Sequence, residues 1–235
     1  MNLKDINGIL AFAIKDKKPD LVITIPVFIR LIHVSQLKHF KRKIGLPEEY
    51  APGQPIPRQA YEISKMNSID LAPFKVVMGN NSMPLKINAY GNALIPSDFY
   101  FPSSARYQWV RSQILVSWQE VEILDDKTFN KRITSSLMAP SRKHPVANVQ
   151  NGAIQFVPKD LKLVNFTYLR VPPEPVYGVN YTRGFAEYTP ATSTELLWSD
   201  TNVIDICAIA LFDLGIIMNK QEIASYANKV EQTGI

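Results

Sequence analysis

Few side chains in this sequence could hold a metal or attack a substrate. Histidine occurs at three positions, His33, His39 and His144, and cysteine at one, Cys207. A helical metal pair stands at i and i+4, which sets both imidazoles on one face. His33 and His39 stand six apart and fall on different faces, while His144 follows Arg142 and Lys143 without a partner. All three read as surface or capping histidines. One thiol cannot close an internal disulfide or supply a cysteine-based zinc site. Cys207 lies in the most apolar stretch of the chain, where a thiol is a small core group rather than a nucleophile. The paired carboxylates Glu48-Glu49 and Asp125-Asp126 are sequence neighbours, so their side chains diverge; loop solvation suits the first and helix capping the second. A faint nuclease-like pattern, Asp20 with the distant triplet Asp160-Leu161-Lys162, is of a kind common by chance. No Gly-x-Ser-x-Gly elbow, phosphate loop or dinucleotide fingerprint occurs. The residues point to a protein that is not an enzyme and has no cofactor and no metal.

Charge is more informative than chemistry. The chain has 235 residues, a net charge of +5, and 46% hydrophobic residues. That is too apolar for a disordered chain, and no apolar run reaches the roughly 18 residues of a membrane span. Residues 1–44 hold nine Lys/Arg against three Asp/Glu, so the remainder of the chain is almost neutral. Such a basic region suits an acidic partner: nucleic acid, an acidic protein face or an anionic surface. No export signal is recognisable, because the apolar run Ile9–Ile14 is short and lacks a cleavage site, which leaves a cytoplasmic place of synthesis.

The elements that position these groups follow from periodicity. Leu3, Ile6, Leu10 and Ile14 form one helical stripe closed by Pro19, and a second helix is predicted from about Pro26 to Ile44. Its exposed part and last turn carry Arg30, Lys38, Lys41, Arg42 and Lys43, the candidate interface residues. Pro47, Pro52, Pro55 and Pro57 then impose an extended connector, with a short helix around 59–67. The middle reads as strands. Leu85, Ile87 and Ala89 alternate with polar residues, 114–118 and 163–170 favour strand, and a helix over 126–136 points Phe129 and Ile133 inward. Asn151-Gly152 predicts a two-residue hairpin turn pairing Gln150 with Ala153, Val149 with Ile154 and Ala147 with Phe156. A buried helix runs from a Ser199 or Asp200 cap to Leu214, closed by Gly215. A last helix opens at Asn219.

The fold class expected is α+β: N- and C-terminal helices packed as a helical bundle, a central antiparallel β-rich portion, and long proline-rich loops. The expected divisions are 1–70, 71–192 and 193–235. Basic and aromatic residues interleave between Phe99 and Arg111, a composition that can stack and clamp bases. A strand whose Tyr107 and Trp109 share one packed face is the favoured alternative, because no nucleic-acid motif accompanies them.

Several phrases resemble a known group. Leu161-Lys-Leu-Val-Asn-Phe-Thr-Tyr-Leu-Arg-Val-Pro-Pro-Glu-Pro-Val-Tyr177 is one. Others are Thr194-Glu-Leu-Leu-Trp198, Leu214-Gly-Ile-Ile-Met-Asn219 with Ala224-Ser-Tyr-Ala-Asn-Lys-Val230, the proline-rich run Gly45 to Arg58, and Ile95-Pro-Ser-Asp-Phe-Tyr100. In this order they resemble the head–tail connector, or neck-ring, proteins of tailed podovirus-like bacteriophages, more narrowly those of crAss-like phages of Bacteroidota. The resemblance implies a virion protein forming a homo-oligomeric ring, twelve-fold as in related connectors. It also implies contact with the portal protein and adjacent neck or tail rings, a part in head completion, tail attachment and DNA retention, and no membrane. Candidate roles for residues 30–43 are contact with an acidic portal surface or with packaged DNA. Two alternatives remain at this point: another virion component such as a tail-hub or capsid-associated protein, and a DNA-binding accessory protein.

Overall fold

The computed structural model describes residues 1–44, 66–79, 85–111, 114–161, 163–182 and 185–216. The chain is mixed α/β. Its helices include α1 (Leu3–Lys17), α2 (Ile25–Ile44), α3 (Asp126–Thr134) and α4 (Asp200–Asp213), and residues 66–70 are also helical. Its strands are β1 (Lys75–Met78), β2 (Asn92–Leu94), β3 (Phe99–Arg111), β4 (Ile114–Ile123), β5 (Val146–Gln150), β6 (Ala153–Val157), β7 (Val164–Arg170), β8 (Val179–Thr182) and β9 (Phe185–Tyr188). Two compact units result: Phe74–Val171, and Met1–Pro73 together with Pro172–Ile235. The proline-rich connector 45–58, most of the helix expected at 59–67 and the helix expected from Asn219 lie outside the described residues.

The first unit is a seven-stranded sheet in the order β1-β7-β3-β4-β5-β6-β2. Adjacent pairs are antiparallel except β4 and β5, which run parallel with Glu122 opposite Val146 and Ile123 opposite Ala147. A parallel pair needs a crossover, and α3 with its following loop supplies it. This departs from the wholly antiparallel expectation. The predicted hairpin register is the observed one, Ala147 opposite Phe156 and Val149 opposite Ile154. Asn151 and Gly152 take φ of 48° and 71°, the left-handed pair a two-residue primed turn requires. Long β3 carries register shifts, one of them between Pro102 and Ser104, where a proline without an N–H would otherwise break the ladder.

The sheet's inward residues form a core of Tyr107, Val121, Ile154, Phe156, Phe166 and Tyr168. Phe99, Phe166 and Tyr168 stack with centroids 5.6–6.3 Å apart. The Tyr168 hydroxyl donates to Asp98 (3.0 Å), and burial with that carboxylate pushes its pKa up to about 12. Two expectations fail here. Residues 85–89 form no strand beyond a single bridge from Ile87 to Ala93, because the Asn88 side chain accepts from the Tyr90 and Asn92 amides (2.9 Å each) and bends the chain into a turn. Phe129 of α3 is buried as expected, but Ile133, in the last turn of the helix, is exposed.

The second unit is built on α1, α2 and α4. Asn2 and Asp5 cap α1 reciprocally: the Asn2 side chain accepts from the Asp5 amide (2.8 Å), and Asp5 from the Asn2 amide (3.1 Å). The Leu3 amide donates to Glu195 (2.7 Å), so a residue 192 positions away satisfies another free donor of the first turn. Pro26 sits in the opening turn of α2, where its missing N–H costs nothing. At the far end of α4, Gly215 has φ of 70° and the Ile216 amide reaches back to the Leu211 carbonyl (2.8 Å), a left-handed cap as the sequence predicts. Both α1 and α2 pack against α4, whose Val203, Ile206, Cys207, Ala210 and Leu211 are buried. The β8–β9 hairpin belongs to the same unit.

Candidate interaction surface on the second helix

Helix α2 has twenty residues and no carboxylate. Its five cations do not share one fate. Lys38 reaches Asp213 of α4 (2.6 and 2.7 Å), and Lys43 reaches Asp70 (2.7 Å). These two ion pairs tie α2 to its own unit. Arg30, Lys41 and Arg42 are exposed and pair with no carboxylate among the described residues. Of the predicted interface residues, then, three present charge that no described carboxylate pairs, and two are engaged within the fold. Lys38, Arg42, Lys43, Asp205 and Phe212 line a depression of about 660 Å³ beside α4.

Behind that surface lies a polar cluster that sequence periodicity does not announce. Ser35, Gln36, His39 and Asn202 are buried. The Gln36 amide donates to the Pro173 carbonyl (2.8 Å), His39 Nε2 lies 3.1 Å from Asn202 Oδ1, and Asn202 donates to Ser199 (2.8 Å). His39 also meets Trp198 edge-on at 5.0 Å. The expectation of a surface or capping histidine is therefore wrong for His39: a neutral ring that satisfies a buried amide is a core group. Burial holds its pKa below the ordinary 6.5, against the Asn202 hydrogen bond, which favours the charged form. Burial pushes Asp70 upward, but hydrogen bonds from Lys43 and Asn202 together leave its carboxyl below the usual range. Nothing in the spacing of α2 announces this cluster, because the partners of His39 lie on α4 and just before it.

The remaining candidates are scattered. Cys207 is fully buried and desolvation pushes its thiol up to about 12, a protonated group at neutral pH. Asp125 caps α3 by accepting from the Thr128 amide (3.2 Å), and Asp126 accepts from Asn148 and Gln150 (2.9 Å each); these bonds lower both carboxyls. Asp160 is taken by Arg142, Lys162 and the Glu48-Glu49 pair lie outside the described residues, and Asp20 is exposed. Among the described residues no group of three potential ligands could hold a metal ion. In the aromatic stretch, Tyr107 is buried and donates to the Arg142 carbonyl, while Arg106 stacks over the Trp118 ring at 4.7 Å. No described helix is long and apolar enough to cross a membrane. No protein-family model matches this sequence, and no curated protein matches it.

Proposed function

We propose that the protein is a structural subunit of a bacteriophage virion, one copy in an oligomeric ring of the neck between portal and tail. The observation that carries this reading is α2: twenty residues without a carboxylate, with Arg30, Lys41 and Arg42 turned to solvent. An acidic surface of a neighbouring ring is the natural complement of such a face. The sequence phrases that resemble neck-ring proteins give the context. In this reading the chain performs no catalysis and its work is contact. A heterologous ring makes every copy bind two neighbours, so each contact can be modest while the closed assembly is firm. Helices α1, α2 and α4 act as one bundle in this reading. A twelve-fold ring retaining packaged DNA and offering the tail an attachment surface follows from the resemblance.

The test is capture by the portal protein of the same genome. The triple substitution Arg30→Gln, Lys41→Gln, Arg42→Gln leaves the ion pairs of Lys38 and Lys43 intact, and is expected to lower capture at physiological salt by tenfold or more, about 1.4 kcal/mol. Capture equal to wild type overturns the assignment of this surface. A second reading, a DNA-binding accessory protein, is favoured by Arg106 of β3 over Trp118 of β4, an exposed arginine–aromatic pair across adjacent strands. Steeply salt-dependent duplex binding by a monomer would select it.

A further inference from the structure

The two units do not share the net charge equally. Phe74–Val171 holds twelve Lys/Arg against six Asp/Glu, while the helical unit holds fourteen against fifteen. Residues 172–235, with eight Asp/Glu against three Lys/Arg, offset the cations of α1 and α2, so the sheet unit carries the basic excess of the chain. Five of its six carboxylates are also engaged. Asp98 accepts the Tyr168 hydroxyl, Asp125 caps α3, and Asp126 accepts from Asn148 and Gln150. Glu122 is paired with Arg132 (2.9 Å), and Asp160 with Arg142. The sixth, Glu120, stands opposite Arg106 across the β3–β4 ladder.

The remaining cations collect toward one end of the sheet. Val146, the first residue of β5, is in register with Val157 at the end of β6 and with Glu122 near the end of β4. The Arg132–Glu122 pair brings the last turn of α3 to that end. The Arg142–Asp160 pair ties the segment before β5 to the segment after β6. Lys131, Lys143 and Lys159 are the sequence neighbours of Arg132, Arg142 and Asp160, and all three are exposed. Lys127 and Lys131 stand two residues either side of buried Phe129, which at about 100° per residue turns both away from the core. None of these four lysines pairs with a carboxylate among the described residues.

We propose that this end of the sheet unit is a nucleic-acid surface, on which Lys127, Lys131, Lys143 and Lys159 grip the phosphate backbone of a DNA duplex. The kind of cation favours phosphate over an acidic protein face. Arginine's planar fork is what matches a carboxylate, and both arginines here are spent on Glu122 and Asp160. Lysines remain: hydrated point charges, depleted from protein–protein interfaces but suited to a uniform row of phosphates. Contacts of this kind position a duplex without reading its bases, so binding is independent of sequence. In the ring reading this face meets packaged DNA while α2 meets the portal, but the duplex contact itself needs only a single subunit.

The test is fluorescence anisotropy of a labelled mixed-sequence duplex, titrated with the full chain over a salt series. The variant Lys127→Gln, Lys131→Gln, Lys143→Gln, Lys159→Gln should bind at least about tenfold more weakly at about 0.1 M salt. It should also flatten the slope of log K against log salt by about 3 to 4, the counterions of four phosphates. All four side chains are exposed, so folding is not at stake. The α2 variant Arg30→Gln, Lys41→Gln, Arg42→Gln should bind the duplex as the wild type does. Wild-type affinity in the lysine variant, an equal loss in the α2 variant, or no duplex binding by the wild-type chain overturns the surface. Displacement of the duplex by poly-glutamate at equal charge overturns it too, and assigns the lysines to an acidic protein face. Portal capture by the wild-type chain is read separately. Capture without duplex binding sinks this surface alone; duplex binding without capture sinks the neck placement, selects the accessory-protein reading and leaves the surface standing.

Discussion

The sheet unit and the helical unit bury different chemistry. Among the described residues, the sheet unit buries one polar side chain, Asn148, and fills the rest of its interior with Phe156, Phe166, Tyr168 and aliphatic neighbours. The helical unit buries Ser35, Gln36 and His39 of α2 and Asn202 of α4, with His39 and Asn202 hydrogen-bonded to each other. An apolar core is stabilised in proportion to area and responds little to acid. A buried polar cluster is stabilised only while every member keeps its partner and protonation state. One unit is therefore a frame, and the other is a frame with a condition attached.

The largest effect should come from the sheet core. Phe166→Ala removes a ring stacked on Phe99 and Tyr168 and should cost about 3–5 kcal/mol in chemical denaturation. A loss under about 1 kcal/mol would mean that this stack does not hold the sheet. Next comes Asn202→Ala, which strands His39 and removes a hydrogen bond to Asp70; a loss of about 1–3 kcal/mol is expected.

Acid should then separate the two units. Because folding holds His39 below 6.5, the unfolded chain binds a proton that the folded chain refuses. Its contribution is complete above about 6.5 and is lost as pH falls toward its folded value. Asp70, lowered from 3.8, contributes above that value and is lost only in stronger acid. The lowered Asp125 and Asp126 of the sheet unit likewise respond only below 3.8. As the pH falls below 6.5 but stays above the carboxylate range, amide protection relative to the intrinsic exchange rate at each pH should fall in α2 and α4 while β3 and β7 keep theirs. Equal loss in both units would erase the distinction. The smallest effect concerns a turn: Gly152→Ala meets nothing within 4 Å but inherits φ of 71°, so about 1 kcal/mol is expected, read as a shift in denaturation midpoint.

Sequence reasoning reached what is local. The hairpin at Asn151-Gly152 was legible to the residue, because a two-residue turn and a period-two pattern must agree on one register. Helices α1, α2 and α4 were legible from stripes, Pro19, and Gly215. Ile133 was not, because periodicity gives a helix a face without saying how far the surface beneath it extends. Residues 85–89 alternated like a strand, yet the Asn88 side chain competed for the backbone and prevailed. His39 was missed because its partners, Asn202 and Trp198, lie more than 150 positions away and nothing in the spacing of α2 names them. For the candidate surface, the sequence located the cations; only the fold separated Lys38 and Lys43, spent on Asp213 and Asp70, from Arg30, Lys41 and Arg42.

The central claim is that the chain works by joining copies of itself to a portal. Its most direct test is the native mass of the purified protein by light scattering, alone and after mixing with the portal protein of the same genome. The account predicts a concentration-dependent mass for the protein alone and a closed integral multiple of the subunit on the portal. A strict monomer that passes the portal by at every concentration would contradict it.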